Sequence, residues 1–239
     1  MNAPIGANAP RFHDCHNDDA WTWAAAVAIS SALRRELEQQ PRARLLLSGG
    51  TTPAPVFRAL SKAPLDWSRV DIGLVDERWL LPSDTDSNAY LVSAHLLRNH
   101  AAAAHFESLT RPGRTIEMAL GAANLHARRP PSVIVLGMGD DGHTASLFPH
   151  MPGLAAALAS PLAYVAVDAT GCAGAGPWPR RISLTPAGLA PAATRILLLR
   201  GNTKRKVFEQ ALAGTDPQEM PIRIAFTTQG AILDVYWCA

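Results

Sequence analysis

The 239-residue chain has very few cysteines and fewer lysines than its charge would suggest. Cys15, Cys172 and Cys238 are odd in number and far apart, which excludes a disulfide framework and a cysteine-rich zinc site. No apolar run approaches the roughly 18 residues that a membrane span needs. The first residues, MNAPIGANAPRFHDCHNDD, lack the basic and apolar regions of a secretory signal, so a cytoplasmic protein is expected. Net charge is only +2, so there is no general electrostatic reason to expect nucleic acid, and any positive charge that matters should be local. Lys62, Lys204 and Lys206 stand against nineteen arginines, so each lysine merits inspection.

What is present alternates. A helix capped by Asn17 or Asp18 is predicted to run through Glu38, with acidic residues in its first turn. Strands are predicted at Arg44–Leu47, Val70–Val75, His105–Leu109, Val133–Leu136, Tyr164–Val167, Ile182–Leu184, Arg195–Leu199 and Ile232–Tyr236. Helices are predicted at Ala54–Ser61, Asn88–Asn99, Thr115–Ala127 and Thr203–Leu212. Strands separated by helices of about ten residues imply βαβ units. The fold class expected is α/β, a mainly parallel open sheet with helices on both faces. Residues 1–16 read as a loose leader and 17–239 as a single α/β catalytic domain. The Gly-, Pro- and Ala-rich stretch 168–181 is a mobile-loop candidate.

Chemistry concentrates in four turns, each expected at the carboxyl end of a strand. The stretch Ser132–Pro149 begins as a buried β-branched strand, breaks at Gly137, Gly139 and Gly142, and delivers His143 two residues after Asp141. Thr144, Ala145 and Ser146 read as a helix entry, which would present backbone N–H groups to an anion. Ser48-Gly49-Gly50-Thr51-Thr52-Pro53 has the composition of a phosphate cradle without the Lys-Ser/Thr ending of a P-loop. Asp76-Glu77-Arg78, followed by Asp84, Asp86, Ser87 and Asn88, puts charge directly after a buried strand, where Arg78 can grip a phosphate. The carboxylates here match neither an EF-hand nor a histidine–carboxylate metal set, so no metal is expected. Gly201-Asn202-Thr203-Lys204 puts a cation in the first turn of a helix, a cost that an intervening anion would relieve.

SGGTTP, VDERWL with DSN, LGMGDDGHTASLFP and GNTK, in this order and spacing, resemble the 6-phosphogluconolactonase family, in the superfamily that includes glucosamine-6-phosphate deaminase/isomerase. The resemblance runs from about Asp19 to the C-terminus and takes in Pro179–Thr185. His150 stands where those lactonases commonly have Gly, which could alter the rim of the pocket. Trp79-Leu80-Leu81-Pro82 also departs from the usual small and β-branched residues. The resemblance implies a Rossmann-like sugar-phosphate isomerase/lactonase fold. It also implies hydrolysis of 6-phospho-D-glucono-1,5-lactone to 6-phosphogluconate, the second step of the oxidative pentose phosphate pathway. In that reading His143 is the general base that activates water, and Asp141 orients it. Arg78, Lys204 and the turn Ser48, Gly49, Gly50, Thr51 and Thr52 hold the phosphate. Backbone N–H groups of Gly139, Gly142 and Thr144 face the oxyanion. No cofactor is expected, and the only partner is the small sugar-phosphate lactone, with neither nucleic acid nor membrane, in a monomer or small homo-oligomer. Two alternatives are a deaminase/isomerase of amino-sugar phosphates and a non-catalytic sugar-phosphate sensor. The first lacks its Asn-Glu here, where Leu147-Phe148 stand, and the second lacks a DNA-binding module.

Overall fold

Arg11 to Cys15, read as part of a loose leader, form an edge strand instead. The computed structural model describes residues 9–239; residues 1–8 of the expected leader lie outside the described residues. The strands are β1 Arg11–Cys15, β2 Ala43–Leu47, β3 Val70–Leu74, β4 Asp76–Arg78, β5 His105–Phe106, β6 Val133–Leu136, β7 Tyr164–Asp168, β8 Arg180–Leu184, β9 Thr194–Arg200 and β10 Leu233–Cys238. The α-helices are α1 Asp18–Gln39, α2 Ala54–Leu60, α3 Asn88–His95, α4 Ile116–His126, α5 Leu154–Leu158, α6 Pro186–Leu189, α7 Asn202–Leu212 and α8 Ile224–Thr227.

Seven strands make one sheet in the order β1-β10-β9-β6-β2-β3-β5, with every pairing parallel. Its central strands read as near-continuous apolar runs because they are covered on both faces: Leu45, Leu46, Leu47, Ile72, Val133 and Ile134 are all buried. Asn17 starts α1 by accepting the Ala20 N–H at 2.8 Å. Trp21, Ala25, Ile29, Ala32 and Leu33 recur at helical spacing and bury one face of α1. The Trp21 indole N–H reaches the Tyr236 carbonyl on β10 at 2.9 Å, fixing the helix to the sheet.

The expectation of one sheet is corrected in one respect. β4, β8 and β7 form a separate three-stranded antiparallel sheet, so Asp76-Glu77-Arg78 is a short strand and not a turn. Alternation of helix and strand does not distinguish a strand that joins the main sheet from one that leaves it. The backbone leaves at Val75, whose N–H still donates to Leu47 while its carbonyl accepts from Leu184. The helix entry expected at Thr144–Ser146 is also absent. Ala145 has φ +52, and a Thr144–Leu147 bridge closes a tight turn, so the next helix, α5, begins only at Leu154.

A dyad and an anion cradle in one cleft

The chain order reverses between β2 and β6. From β2 the chain adds β3 and β5 on one side; from β6 it adds β9 and β10 on the other. Crossovers leave these neighbouring strands in opposite directions, which opens a crevice at their carboxyl ends. Two of the four chemistry-bearing turns follow these two strands. They are laced together where the Ser48 N–H donates to the Val135 carbonyl at 2.9 Å and the Gly137 N–H to Ser48 Oγ at 3.2 Å.

The crevice is a cleft of about 260 Å³ whose walls include Ser48 to Pro53, Asp76, Arg78, Asn88, His143, Arg181 and Lys204. The residues expected to act on phosphate and on the reacting carbon therefore share one cavity. Asp141, Gly142 and Thr144 are not among its lining residues.

His143 Nδ1 lies 2.6 Å from Asp141 Oδ1, and the same oxygen accepts the His143 backbone N–H at 3.0 Å. Burial pushes the Asp141 carboxyl up, but the hydrogen bonds and charge of His143 outweigh it and hold the group below its ordinary value. An ionised Asp141 keeps the imidazole proton on Nδ1 and leaves the Nε2 lone pair as the proton acceptor. The ring rests on Phe148, centroids 4.3 Å apart. Gly139 is required by this packing: a Cβ there would stand 2.2 Å from the imidazole.

The turn after β2 has the donors that an anion would need. Among the described residues, the backbone N–H groups of Gly49, Gly50, Thr51 and Thr52 donate to no protein acceptor. A cluster of unspent donors facing a cavity attracts negative charge. Gly49 admits no side chain, because its Cβ would fall 1.7 Å from Asn88 Oδ1. Asn88 is itself fixed by donating to the Asp76 carbonyl at 2.8 Å.

Lys204 reaches the cleft from the first turn of α7 and donates to the Met138 carbonyl at 2.6 Å. Arg78 donates through Nη1 to the Asp86 carbonyl, and among the described residues its buried Nε has no partner. Glu77 is fully buried and gathers three backbone donors: Arg78 at 2.8 Å, Asn88 at 2.9 Å and Ala89 at 2.8 Å. Burial nevertheless pushes its carboxyl up to about 7.

Two of the expected oxyanion donors need correction. The Gly139 N–H donates to the His143 carbonyl at 2.9 Å and the Gly142 N–H to the Gly139 carbonyl at 3.1 Å, so both are spent inside the turn. The Thr144 hydroxyl donates to the Gly137 carbonyl at 2.8 Å, a bond that shapes the turn, while among the described residues its backbone N–H donates to no protein acceptor. His150 is exposed and does not line the cleft; its φ of +59 explains why glycine suits this position.

The sequence assigns no role in the site to Arg181 or, within the charged segment Asp76-Glu77-Arg78, to Asp76. Each belongs to the antiparallel sheet and is carried into the cleft wall by a pairing that no local pattern announces. A cluster at the amino-terminal part of β3, Asp71, His105 and Glu107, has the atoms of a metal site. Its carboxylates are already matched by arginines: Arg42 and Arg129 on Asp71, and Arg44 on Glu107 at 3.1 Å.

Residues 16–237 match the family model described as glucosamine-6-phosphate isomerases/6-phosphogluconolactonase. A 6-phosphogluconolactonase of Xylella fastidiosa is 54% identical over 226 residues, covering 93% of this chain and 94% of the relative. One from Pseudomonas aeruginosa is 42% identical over 221 residues, covering 89% and 88%. The crystal structure of a 6-phosphogluconolactonase from Shewanella baltica superposes with a TM-score of 0.87 at 36% identity, covering 96% of this chain and 98% of the other.

Proposed function

The chain belongs to the glucosamine-6-phosphate isomerase/6-phosphogluconolactonase family, and on that premise we propose that it hydrolyses 6-phospho-D-glucono-1,5-lactone to 6-phosphogluconate with His143 as general base. One observation supports this most: an Asp141-oriented imidazole and a group of anion-binding donors open into the same cleft.

Nε2 of His143 takes a proton from a water as its oxygen bonds to the lactone carbonyl carbon. The charge developing on the imidazole is balanced by Asp141. Collapse of the tetrahedral intermediate breaks the bond from that carbon to the ring oxygen, and the imidazolium returns the proton to the leaving alkoxide. The new carboxylic acid then ionises, so turnover releases acid. The phosphate lies on the free N–H groups of Gly49 to Thr52, with Lys204 and Arg78 supplying positive charge. Binding energy from that remote group orients the ring against His143. Water, one base and these donors complete the reaction, with no cofactor in any step.

Leu147 and Phe148 stand where the deaminase pattern has Asn-Glu, and both are fully buried in the core, so no second carboxylate reaches the cleft from that segment. No helix of the described residues is long and apolar enough to cross a membrane. A cytoplasmic setting, and a small molecule rather than nucleic acid as partner, belong to the same proposal.

The test is acid release from freshly prepared lactone above its spontaneous hydrolysis. His143→Ala should lower kcat by roughly 10²–10⁴-fold, the usual contribution of a positioned base. An unchanged kcat removes His143 from that role, and no excess rate in the wild-type chain ends the lactonase reading.

A further inference from the structure

The steps just described leave one cation of the cleft without a task. Arg181, in β8, is 4% exposed, and its guanidinium is spent on three neighbours. Nε donates to the Trp178 carbonyl at 2.8 Å and Nη2 to the Ala175 carbonyl at 2.5 Å. Nη1 faces Ser146 Oγ at 3.4 Å, and that hydroxyl donates to Asp76 Oδ2 at 2.6 Å. The two carbonyls belong to residues 169–179, the connection between β7 and β8 and the centre of the stretch read from sequence as a mobile loop.

The same connection packs against the dyad. A Cβ on Gly174 would lie 2.9 Å from Asp141 Oδ2, 3.2 Å from His143 Nδ1 and 3.2 Å from the Phe148 ring. Phe148 in turn carries the His143 ring and lies under the Arg181 guanidinium, 5.2 Å from its centroid. Trp178 adds a second tie, its indole N–H donating to Asp86 Oδ2 at 3.0 Å. Holding two carbonyls three residues apart, plus a hydroxyl, takes a rigid fork of donors. A lysine ammonium is a single point and cannot span them.

We propose that Arg181 is a positioning residue: it pins residues 169–179 so that the Gly174 backbone closes against Asp141 and His143 and holds the imidazole on its carboxylate. The inference rests on the lactonase reading of the cleft. It assigns Arg181 to the loop and to the chemical step, not to the phosphate.

Arg181→Lys keeps the charge and removes the fork. Hydrogen exchange is read at the amides of Cys172 and Ala175, which are bonded within the connection to Ala169 and Cys172 carbonyls. They should exchange at least tenfold faster in the variant. In the acid-release assay kcat should fall at least tenfold, while KM for the lactone and inhibition by inorganic phosphate stay within about twofold. Gly174→Ala keeps Arg181 and its bonds but pushes a methyl group into the dyad; it too should lower kcat at least tenfold with an unchanged circular dichroism spectrum. Unchanged exchange in Arg181→Lys overturns the proposal. So does a rise in KM and in the phosphate inhibition constant at constant kcat, which would make Arg181 a phosphate ligand. Full activity of Gly174→Ala overturns it as well. The exchange arm needs no substrate, so it is decided even if the wild-type chain fails on the lactone, a result that would sink only the reading of the cleft.

Discussion

At the scale of single residues, the proposed reaction divides the cleft between His143, which would act on the reacting carbon, and groups that would only bind. The same proposal puts Lys204 with the second: its ammonium lines the cleft and donates to the Met138 carbonyl. An interaction with a remote phosphate is the same in ground and transition states, so Lys204→Ala should raise KM about tenfold or more and change kcat little in steady-state assays. Glu77 is a different case, a carboxylate that builds the site without facing it. Its carboxyl is raised to about 7, so between the ordinary carboxylate range and pH 7 the folded chain holds a proton that the unfolded chain has lost. Unfolding free energy should therefore fall as pH rises through that window, by on the order of 3 kcal/mol, and level off above it. Glu77→Gln has no such proton. Urea unfolding of both chains between pH 5 and 8 should show the wild type losing stability relative to the variant; a constant difference would refute the shift.

At the scale of elements, the strand-to-helix turns carry the site and tolerate little. The turn after β2 depends on Gly49, where a methyl group would occupy the space of the Asn88 amide. Gly49→Ala should displace α3 or the cradle, costing about 1–3 kcal/mol in thermal unfolding as other overpacked positions do, and lowering kcat/KM by at least an order of magnitude. Wild-type values for both would show that Asn88 can step aside. Arg195 does comparable work at the other end of β9. It is fully buried with no carboxylate partner among the described residues, and donates to the carbonyls of Thr228 at 2.7 Å and Ala190 at 3.1 Å, among others, so one side chain fastens the segment after α8 to the end of α6.

At the scale of the whole molecule, the parallel sheet is closed on one side by β1, which pairs residue for residue with β10 from Arg11 opposite Asp234 to Cys15 opposite Cys238. His13 reinforces it by meeting Asp234 at 2.8 Å and stacking on Tyr236 at 4.4 Å. Removing residues 1–15 would bare the β10 edge; the melting temperature should drop by several degrees, and calorimetry showing no drop would mean the pairing adds nothing. The edge strand also marks where the sequence stopped being legible. Arg-Phe-His-Asp-Cys has no apolar alternation of its own, and only β10, more than two hundred residues away, makes it a strand. Apolar runs and capping residues did determine much locally: the buried strand Val133–Leu136 and the Asn17 cap lie where the chain alone placed them, because caps and short-range periodicity act within a few residues. The motif around His143 likewise fixed which imidazole and carboxylate could pair. Only the tertiary structure decided which N–H groups of that turn were already spent, that Asp76-Glu77-Arg78 is a strand of a second sheet, and that Arg181 belongs to the cleft. Each of these depends on a partner distant in sequence, and a hydrogen bond or a Cβ collision between distant segments leaves no periodic trace in either one.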